Sequence, residues 1–361
     1  MDGAVREVSA KQLIAGWSLT KRCNLRCIHC YNNSGCAEKD ELSTQEALGV
    51  VQKLKDANVA AVNFGGGECA LRPDFMMICR ALYDAGIKVS YTTNGTTYPV
   101  LKDHLYLFHD IGVSIDFADS AMHDWFRGRK GTYAAAYAML KNLVQQGVET
   151  EMVTCLTRLN AKEQELRKLY TLGKNIGIQS WRLNRFRATG RGLSHSHELD
   201  LTPELLREAY AFLSTYIAKD AIVAEPLFRA GFWGNYSIRG DPSGTYAFRI
   251  RPDGKVSPSV FLQINGGNIK QQSLQEIFDS SLFRHTMERK PEGKCLACKE
   301  YEHCQGGDVG ASYLAYRHFN GPDPLCWINP ATVKEKPPAK KIIKDDWNVH
   351  ERYLCTLYID M

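Results

Sequence analysis

Seven of the twelve cysteines form two groups whose spacing suits metal binding. The first group is Cys23, Cys27 and Cys30, with the spacing Cys-x3-Cys-x2-Cys. Three thiolates from one loop can bind three irons of a 4Fe-4S cubane, which leaves the fourth iron open to an outside ligand and therefore to chemistry. The alternative is a zinc knuckle, which needs a fourth ligand. His29 lies inside the loop and has little freedom to complete a tetrahedron.

The second group lies near the C-terminus and has four members, Cys295, Cys298, Cys304 and Cys326. Four thiolates make a complete ligand set, so a 4Fe-4S cluster held there has no open iron and cannot bind a substrate directly. Such a cluster would pass an electron or stabilise its domain. The spacing alone also allows a structural zinc site with four thiolate ligands.

The composition excludes several classes of protein. With 361 residues, 44% of them hydrophobic and 24% charged, the chain has the composition of an ordinary globular protein. Its formal charge of +5 is spread along the sequence, which gives no support for nucleic-acid binding. No apolar run approaches the roughly 18 residues of a membrane span, and the first residues lack a signal-peptide layout. We therefore expect a cytoplasmic protein without membrane contact, in which clustered cysteines are more often metal ligands than disulfides.

The elements that must position the first cysteine group form a repeating pattern. Six apolar runs alternate with segments of helical periodicity, which is typical of parallel strands joined by helical crossovers. The runs are residues 12–20, 59–64, 87–93, 111–116, 149–157 and 178–184. Ser43 and Glu46 predict a capping box at the start of the first helix. A polar stretch at 189–197 ends the repeat, and 201–219 is predicted to form one further helix.

The pattern changes in the C-terminal part. Asp253 and Gly254 lie between two β-rich runs and predict a hairpin in a second, smaller unit. The predicted domains are residues 1–225, 226–330 and a tail at 331–361 that ends in a short ordered segment, 347–359.

The first cysteine group resembles that of the radical S-adenosylmethionine (SAM) enzymes. In that family the loop follows the first strand of an α/β fold, a partial (β/α)6 TIM-like barrel, and the open iron binds the amino and carboxylate groups of SAM. One electron from the cluster then cleaves SAM to a 5′-deoxyadenosyl radical. The resemblance implies that Cys23, Cys27 and Cys30 are the cluster ligands, and it places His29 where the family usually has an aromatic residue.

Further segments resemble the SAM-binding parts of the family, over about residues 15 to 192. Glycines after the second strand let the backbone approach a ligand closely, and a carbonyl there could accept a hydrogen bond from the SAM ammonium. The alternative for these glycines is a simple tight turn. The resemblance places Arg127 near the SAM carboxylate, and the alternative for this residue is a solvated surface arginine. The cofactor-binding residues implied are Gly65, Gly66, Gly67, Glu68, Thr93, Asn94, Ser114, Asp116, Arg127, Thr157 and Asn160.

The second cysteine group resembles the SPASM or twitch region of radical SAM enzymes, which carries auxiliary 4Fe-4S clusters. Members with two such clusters have further cysteines where this chain has Ser259 and Asp308, so we expect one auxiliary cluster. Asp308 could be an oxygen ligand, a catalytic proton acceptor that faces the substrate, or a helix cap.

Five cysteines have no partnered spacing. Cys79 and Cys155 are predicted to be small core residues. Cys69 stands where the family usually has a proline, close to the predicted SAM site, and Cys36 lies close to the cluster loop, so both are weaker candidates for contact with the chemistry. Cys355 is the fifth.

Together these features predict an enzyme that abstracts hydrogen from an unactivated position, chemistry that needs a cofactor. The resemblance favours a ribosomally made precursor peptide as substrate, with an external electron donor. Only about a dozen residues precede the first predicted strand, so we expect a separate leader-recognition protein or another surface. The alternatives are a radical SAM enzyme that modifies tetrapyrrole side chains and a metal-bound scaffold without catalysis.

Overall fold

The computed structural model describes residues 13–217, 223–232, 239–330 and 356–361. Within these ranges ten strands form one mixed sheet, in the order β10-β6-β5-β4-β3-β2-β1-β7-β8-β9. The strands are β1 (Ile14–Ser18), β2 (Ala61–Gly65), β3 (Lys88–Thr93), β4 (Asp110–Ser114), β5 (Thr150–Leu156), β6 (Ser180–Arg185), β7 (Ala247–Ile250), β8 (Lys255–Ser257), β9 (Gly267–Asn268) and β10 (Thr356–Asp360).

Helices connect the strands and cover the sheet. They are α1 (Thr44–Asp56), α2 (Phe75–Asp84), α3 (Tyr98–Leu101), α4 (Ser120–Arg127), α5 (Thr132–Gln145), α6 (Glu163–Ile176), α7 (Ser196–Leu199), α8 (Pro203–Leu213), α9 (Pro226–Phe232), α10 (Leu274–Phe278), α11 (Ser281–Met287), α12 (Tyr301–Cys304) and α13 (Val309–Tyr316). Among the described residues, no helix combines the length and the apolar character that a membrane crossing requires.

The six predicted barrel strands are confirmed as β1 to β6, which pair in parallel in chain order. Every residue of β1 is buried, as expected for a parallel strand that is covered on both faces. Trp17 on β1 packs against Phe64 on β2 with 5.6 Å between ring centroids, and both belong to the main core. The six strands with their helices form the predicted partial barrel.

The helix predictions hold for α1 and fail at the end of α8. The capping box is present, since Glu46 N–H donates to Ser43 Oγ and Ser43 N–H donates to the Glu46 carboxylate. The helix predicted over 201–219 ends at Leu213. The hydroxyls of Ser214 and Thr215 donate to carbonyls three residues earlier, at 2.7 and 2.8 Å, and such bonds compete with a continuing helix.

The predicted hairpin is confirmed, and it continues the barrel sheet. Strands β7 and β8 are antiparallel around Asp253 and Gly254, and Gly254 has φ +80°. Strand β7 also pairs in parallel with β1, from Ile14 with Ala247 to Trp17 with Ile250. The C-terminal part is therefore attached to the barrel through its first strand.

Strand β10 covers the other edge of the barrel sheet by pairing antiparallel with β6. Its side chains Leu357 and Ile359 are 1% and 0% exposed. The predicted ordered segment is thus confirmed from residue 356 onward, while 347–355 and the rest of the predicted tail lie outside the described residues. With β7 on β1 and β10 on β6, the outer strands of the six are both paired, which removes two edges that could otherwise recruit another chain.

We predict that Leu357→Ala lowers the free energy of unfolding by about 2–5 kcal/mol, because it leaves a cavity where β10 meets the core. Denaturant unfolding followed by circular dichroism measures this change. The matched control is Leu193→Ala, since Leu193 is 62% exposed and its loss should change stability by less than about 0.5 kcal/mol. Equal effects of the two substitutions would show that β10 does not contribute to the core.

Candidate active site

A cavity of about 200 Å³ lies at the carboxyl ends of the barrel strands, the face at which barrels of this kind carry their active sites. It is lined by residues from all six barrel strands and from the loop that follows β1. The predicted site residues in its wall are Cys23, Cys27, Cys30, Gly65, Gly66, Gly67, Glu68, Thr93, Asn94, Ser114 and Arg127. The structure therefore brings together most of the residues that the sequence singled out.

The loop with the first three cysteines, residues 22–35, is closed at its base by backbone hydrogen bonds. Cys23 N–H donates to Gly35 O at 2.9 Å, and Gly35 N–H donates to Lys21 O at 2.8 Å. Inside the loop, Ser34 N–H donates to Cys30 Sγ at 3.4 Å. One cysteine sulfur is thus already oriented by a backbone donor, an arrangement that tunes iron–sulfur sites.

A second segment, Gly190 to Gly192, fastens this loop from outside. Arg191 N–H donates to Cys30 O at 2.9 Å, and the Arg191 guanidinium donates to the carbonyls of Cys27 and Ser34 at 3.0 and 2.7 Å. Gly190 has φ +56°, and a Cβ at this position would lie 2.4 Å from Tyr31 O. Only glycine allows this close approach.

Burial in the loop favours the neutral forms of Cys23, Cys27 and His29. Burial raises the pKa of Cys27 to about 12 and also raises that of Cys23. A metal bound by these thiols would have to displace their protons. Burial lowers the pKa of His29 to about 3, and its neutral ring stacks on Phe126 with 4.1 Å between centroids. His29 thus packs as an aromatic residue would at this position.

The glycines after β2 lie directly against the start of the cluster loop. Gly67 N–H donates to Thr20 O at 3.0 Å, and Glu68 N–H donates to Arg22 O at 2.9 Å. A Cβ on Gly67 would lie 2.3 Å from Arg22 O, so a larger residue would displace the loop. These glycines therefore serve close packing as well as access to the cavity.

The Glu68 carboxylate fixes the segment that follows β3. It accepts hydrogen bonds from the hydroxyls of Tyr91, Thr93 and Thr97 and from Asn94 N–H, the last at 3.0 Å. Asn94 Nδ2 in turn donates to Asn24 Oδ1 in the cluster loop at 2.9 Å. Three of the predicted cofactor-binding residues, Glu68, Thr93 and Asn94, thus form one hydrogen-bonded unit in the cavity wall.

Arg127 ends α4 and lies in the cavity wall. It pairs with Asp116, which is buried behind this wall. Its Nε donates to Asp116 Oδ2 at 2.7 Å, and Cys155 N–H donates to Oδ1 at 2.8 Å. Although burial favours the protonated acid, the guanidinium holds the pKa of Asp116 below its usual value. Arg127 is therefore not a solvated surface residue, and Asp116 orients it toward the cavity.

Three predicted cofactor-binding residues, Asp116, Thr157 and Asn160, are not among the residues that line the cavity. Asn160 Oδ1 accepts from Thr157 N–H at 2.7 Å, and its Nδ2 donates to the carbonyls of Asp116 and Cys155 at 2.9 Å. These side chains support the ends of β4 and β5 from behind the wall.

Cys155, which was expected in the core, packs against the apolar cluster that contains Phe117 and Phe126, and it also lies in the cavity wall next to Val153. The alternation along β5 identifies its two faces, but it does not show which face borders a cavity. The sequence also left out the side chains of Arg182, Arg185, Arg187 and Arg249, which line the same cavity.

The four cysteines of the second group all line another, smaller cavity. Asp323 and Gly306 are part of the same wall. Burial raises the pKa of Cys295, Cys304 and Cys326. Within the described residues, no group of three or more His, Cys, Asp or Glu side chains is arranged so that it could hold a metal ion.

Asp308 lies between the two cavities and lines neither of them. Its Oδ1 accepts from Ala311 N–H at 2.8 Å and caps α13, while its Oδ2 pairs with the guanidinium of Arg187. Burial favours the protonated acid, but Arg187 and Arg185 hold the pKa of Asp308 below its usual value. In this position it caps a helix and orients an arginine of the cavity wall.

Comparison with known proteins agrees with this geometry. The sequence profile of the radical SAM superfamily matches residues 17–170, and that of SPASM, an iron–sulfur cluster-binding domain, matches residues 242–304.

Two relatives match nearly the whole chain. Mycofactocin maturase MftC of Mycolicibacterium smegmatis is 30% identical over 344 residues, which cover 90% of this chain and 86% of the relative. AdoMet-dependent heme synthase of Methanosarcina barkeri is 28% identical over 347 residues, covering 89% and 98%.

A solved structure shares the fold. It is that of Streptococcus suis SuiB bound to the precursor peptide SuiA, with a TM-score of 0.64, 16% identity and coverage of 88% of this chain and 76% of SuiB. The chain therefore belongs to the radical SAM superfamily and is an enzyme of radical chemistry that uses a 4Fe-4S cluster and SAM, with further iron–sulfur binding in its SPASM domain.

Proposed function

We propose that this enzyme abstracts hydrogen from a ribosomally made precursor peptide and oxidises it as a maturase. The observation that carries the proposal is the convergence of three thiols, the glycines after β2 and Arg127 on one cavity at the barrel mouth. The relationship to a maturase supports it, as does the shared fold with an enzyme that binds a precursor peptide.

The donor set fits the cofactors of the family. Cys23, Cys27 and Cys30 would hold the first cluster, since all three thiols face the cavity and Cys30 Sγ already accepts a backbone hydrogen bond. A reduced cluster with SAM supplies the 5′-deoxyadenosyl radical that abstracts hydrogen. Arg127 would bind the SAM carboxylate, because its guanidinium lies in the wall and stays charged beside Asp116.

The remaining predicted residues would position SAM indirectly. The unit formed by Glu68, Thr93 and Asn94 would hold the segment after β3 against the ribose, and Ser114 would border the same space. Thr157 and Asn160 would keep Asp116 in place through the backbone of β5. Asp308 would act through Arg187, as a positioning residue.

Cys295, Cys298, Cys304 and Cys326 would hold one auxiliary 4Fe-4S cluster with all four irons bound to the protein. Oxidation of a peptide radical releases one electron and one proton, and the auxiliary cluster would accept the electron. We further propose a cytoplasmic location, an external electron donor for the first cluster, and recognition of the leader by a separate protein or by another surface of this chain.

A second candidate function is modification of tetrapyrrole side chains, which the relationship to AdoMet-dependent heme synthases favours. The same cavity and cofactors would serve it. The two candidates differ in substrate alone, so product chemistry separates them.

We predict that Cys27→Ala abolishes 5′-deoxyadenosine formation, because the first cluster loses a ligand. After anaerobic reconstitution and reduction with dithionite, the iron content should fall from about eight to about four per chain. The matched control is Cys79→Ala, a buried thiol of α2 away from both cavities, which should keep both readouts. Deoxyadenosine from the Cys27→Ala protein would contradict the ligand assignment.

The substrate class is tested by incubating the reduced enzyme and SAM separately with a precursor peptide encoded beside its gene and with an iron tetrapyrrole that carries carboxylate side chains. We expect a mass change in the peptide and an unaltered tetrapyrrole absorption band. The reverse outcome would favour the second candidate function. Absence of deoxyadenosine in every sample with intact clusters would indicate a scaffold.

We predict that Cys298→Ala leaves SAM cleavage partly intact but blocks product formation, because the auxiliary cluster is lost as electron acceptor. Deoxyadenosine and modified peptide are measured in the same reaction, with iron and zinc content as a second readout. Cys36→Ala is the control, since Cys36 is exposed and lines neither cavity. Full turnover by Cys298→Ala would show that the auxiliary site is dispensable, and about four irons plus one zinc in the wild-type chain would establish a zinc site.

A further inference from the structure

One side chain connects the two cavities. Arg185, the last residue of β6, lies in the wall of the active-site cavity, while Asp323 lies in the wall of the cavity with the second cysteine group. The Arg185 guanidinium donates to both carboxylate oxygens of Asp323, at 3.2 and 2.7 Å. Both residues are nearly inaccessible to solvent, at 3% and 2% exposure. This is a two-pronged, buried ion pair, the strongest form of such a contact.

Asp323 is built into the backbone that carries the auxiliary ligands. Its carboxylate accepts from Leu325 N–H and Asp308 N–H at 3.0 and 3.1 Å, and Cys326 N–H donates to its carbonyl at 3.0 Å. Gly307 packs so closely against Asp323 that a Cβ there would lie 2.4 Å from the Asp323 Cβ. A change in the position or charge of Asp323 therefore alters the backbone and the electrostatic potential at the second cysteine group.

The charges around Arg185 nearly balance. Arg185 and Arg187 face Asp323 and Asp308, and Arg185 Nε also lies 3.3 Å from a carboxylate oxygen of Glu225. Burial raises the pKa of Glu225 to about 7, so it stays largely neutral below that pH. Removing Arg185 would leave an uncompensated negative charge in a buried region next to the auxiliary site. Net charge of this kind sets the reduction potential of an iron–sulfur cluster.

We propose that Arg185 is a positioning residue that, through Asp323, ties the wall of the substrate cavity to the auxiliary cluster and sets the potential at which that cluster accepts an electron. The inference rests on the proposed auxiliary cluster. It assigns no ligand role to either residue.

The test compares three substitutions in the full-length Cys27→Ala chain, which should retain the auxiliary cluster alone. Arg185→Met is expected to shift the potential of that cluster to more negative values, and Asp323→Asn to more positive values, in a redox titration followed by electron paramagnetic resonance. The matched control is Arg182→Met. Arg182 is a buried arginine of the same strand and the same cavity wall, but it pairs with Glu151 and Thr92. It should leave the potential unchanged.

The sign of the shift in potential distinguishes an effect of charge from an effect of loosened structure. Opposite shifts for Arg185→Met and Asp323→Asn support the inference, whereas shifts in one direction, or a shift for Arg182→Met as large as that for Arg185→Met, overturn it. If Arg185→Met does not fold, Arg185→Lys must restore the wild-type potential while Asp323→Asn raises it, and failure of either overturns the inference. Absence of auxiliary iron in the Cys27→Ala chain itself would instead overturn the proposed auxiliary cluster, and the inference with it.

In the otherwise wild-type chain, Arg185→Met should still cleave SAM but form less modified peptide per deoxyadenosine than Arg182→Met does. Equal ratios for the two variants would show that the link between the cavities does not affect electron acceptance.

Discussion

The close contact of backbone with backbone around the cluster loop is the constraint on which the rest of the site depends. The loop from residue 22 to 35 contains no helix or strand, so its shape comes from segments that press against it. Gly67, Gly128 and Gly190 each approach one of its carbonyl oxygens so closely that a Cβ would lie 2.3 to 2.6 Å away. Arg191 then fastens the loop by hydrogen bonds to two carbonyls. Three thiols can face one cavity only because these neighbours fix the backbone between them.

Buried arginines and carboxylates connect the barrel with the C-terminal part. Removing water from charged groups is costly, and it is compensated only when each charge finds partners with good geometry. Arg185 and Arg187 from the barrel side meet Asp308 and Asp323 from the C-terminal side in this way. Loss of one partner would leave a buried charge alone, so the contact between the two parts depends on these ion pairs as well as on apolar packing.

The sequence predicted the barrel and the cluster loop well, because both leave local signals. Buried parallel strands are continuous apolar runs, and three cysteines within eight positions need no tertiary information to be recognised. The role of Arg185 left no such signal, since Asp323 lies far along the chain and only the fold brings the two together. The position of Cys155 in the cavity wall was not predicted for a related reason: whether a core residue on a barrel strand also borders a cavity depends on its neighbours. The end of α8 was predicted too late because the apolar periodicity does not show that the hydroxyls of Ser214 and Thr215 donate hydrogen bonds to the helix backbone.

The pairing of β1 with both β2 and β7 has a consequence for how the molecule forms. Ile14 finds Ala61 early along the chain but finds Ala247 only after the whole barrel has been traversed. Contacts between such distant positions require a long loop to close first, which slows folding. The loop with the first three cysteines begins only four residues after β1, so the strand that precedes it gains its second neighbour only when β7 has paired.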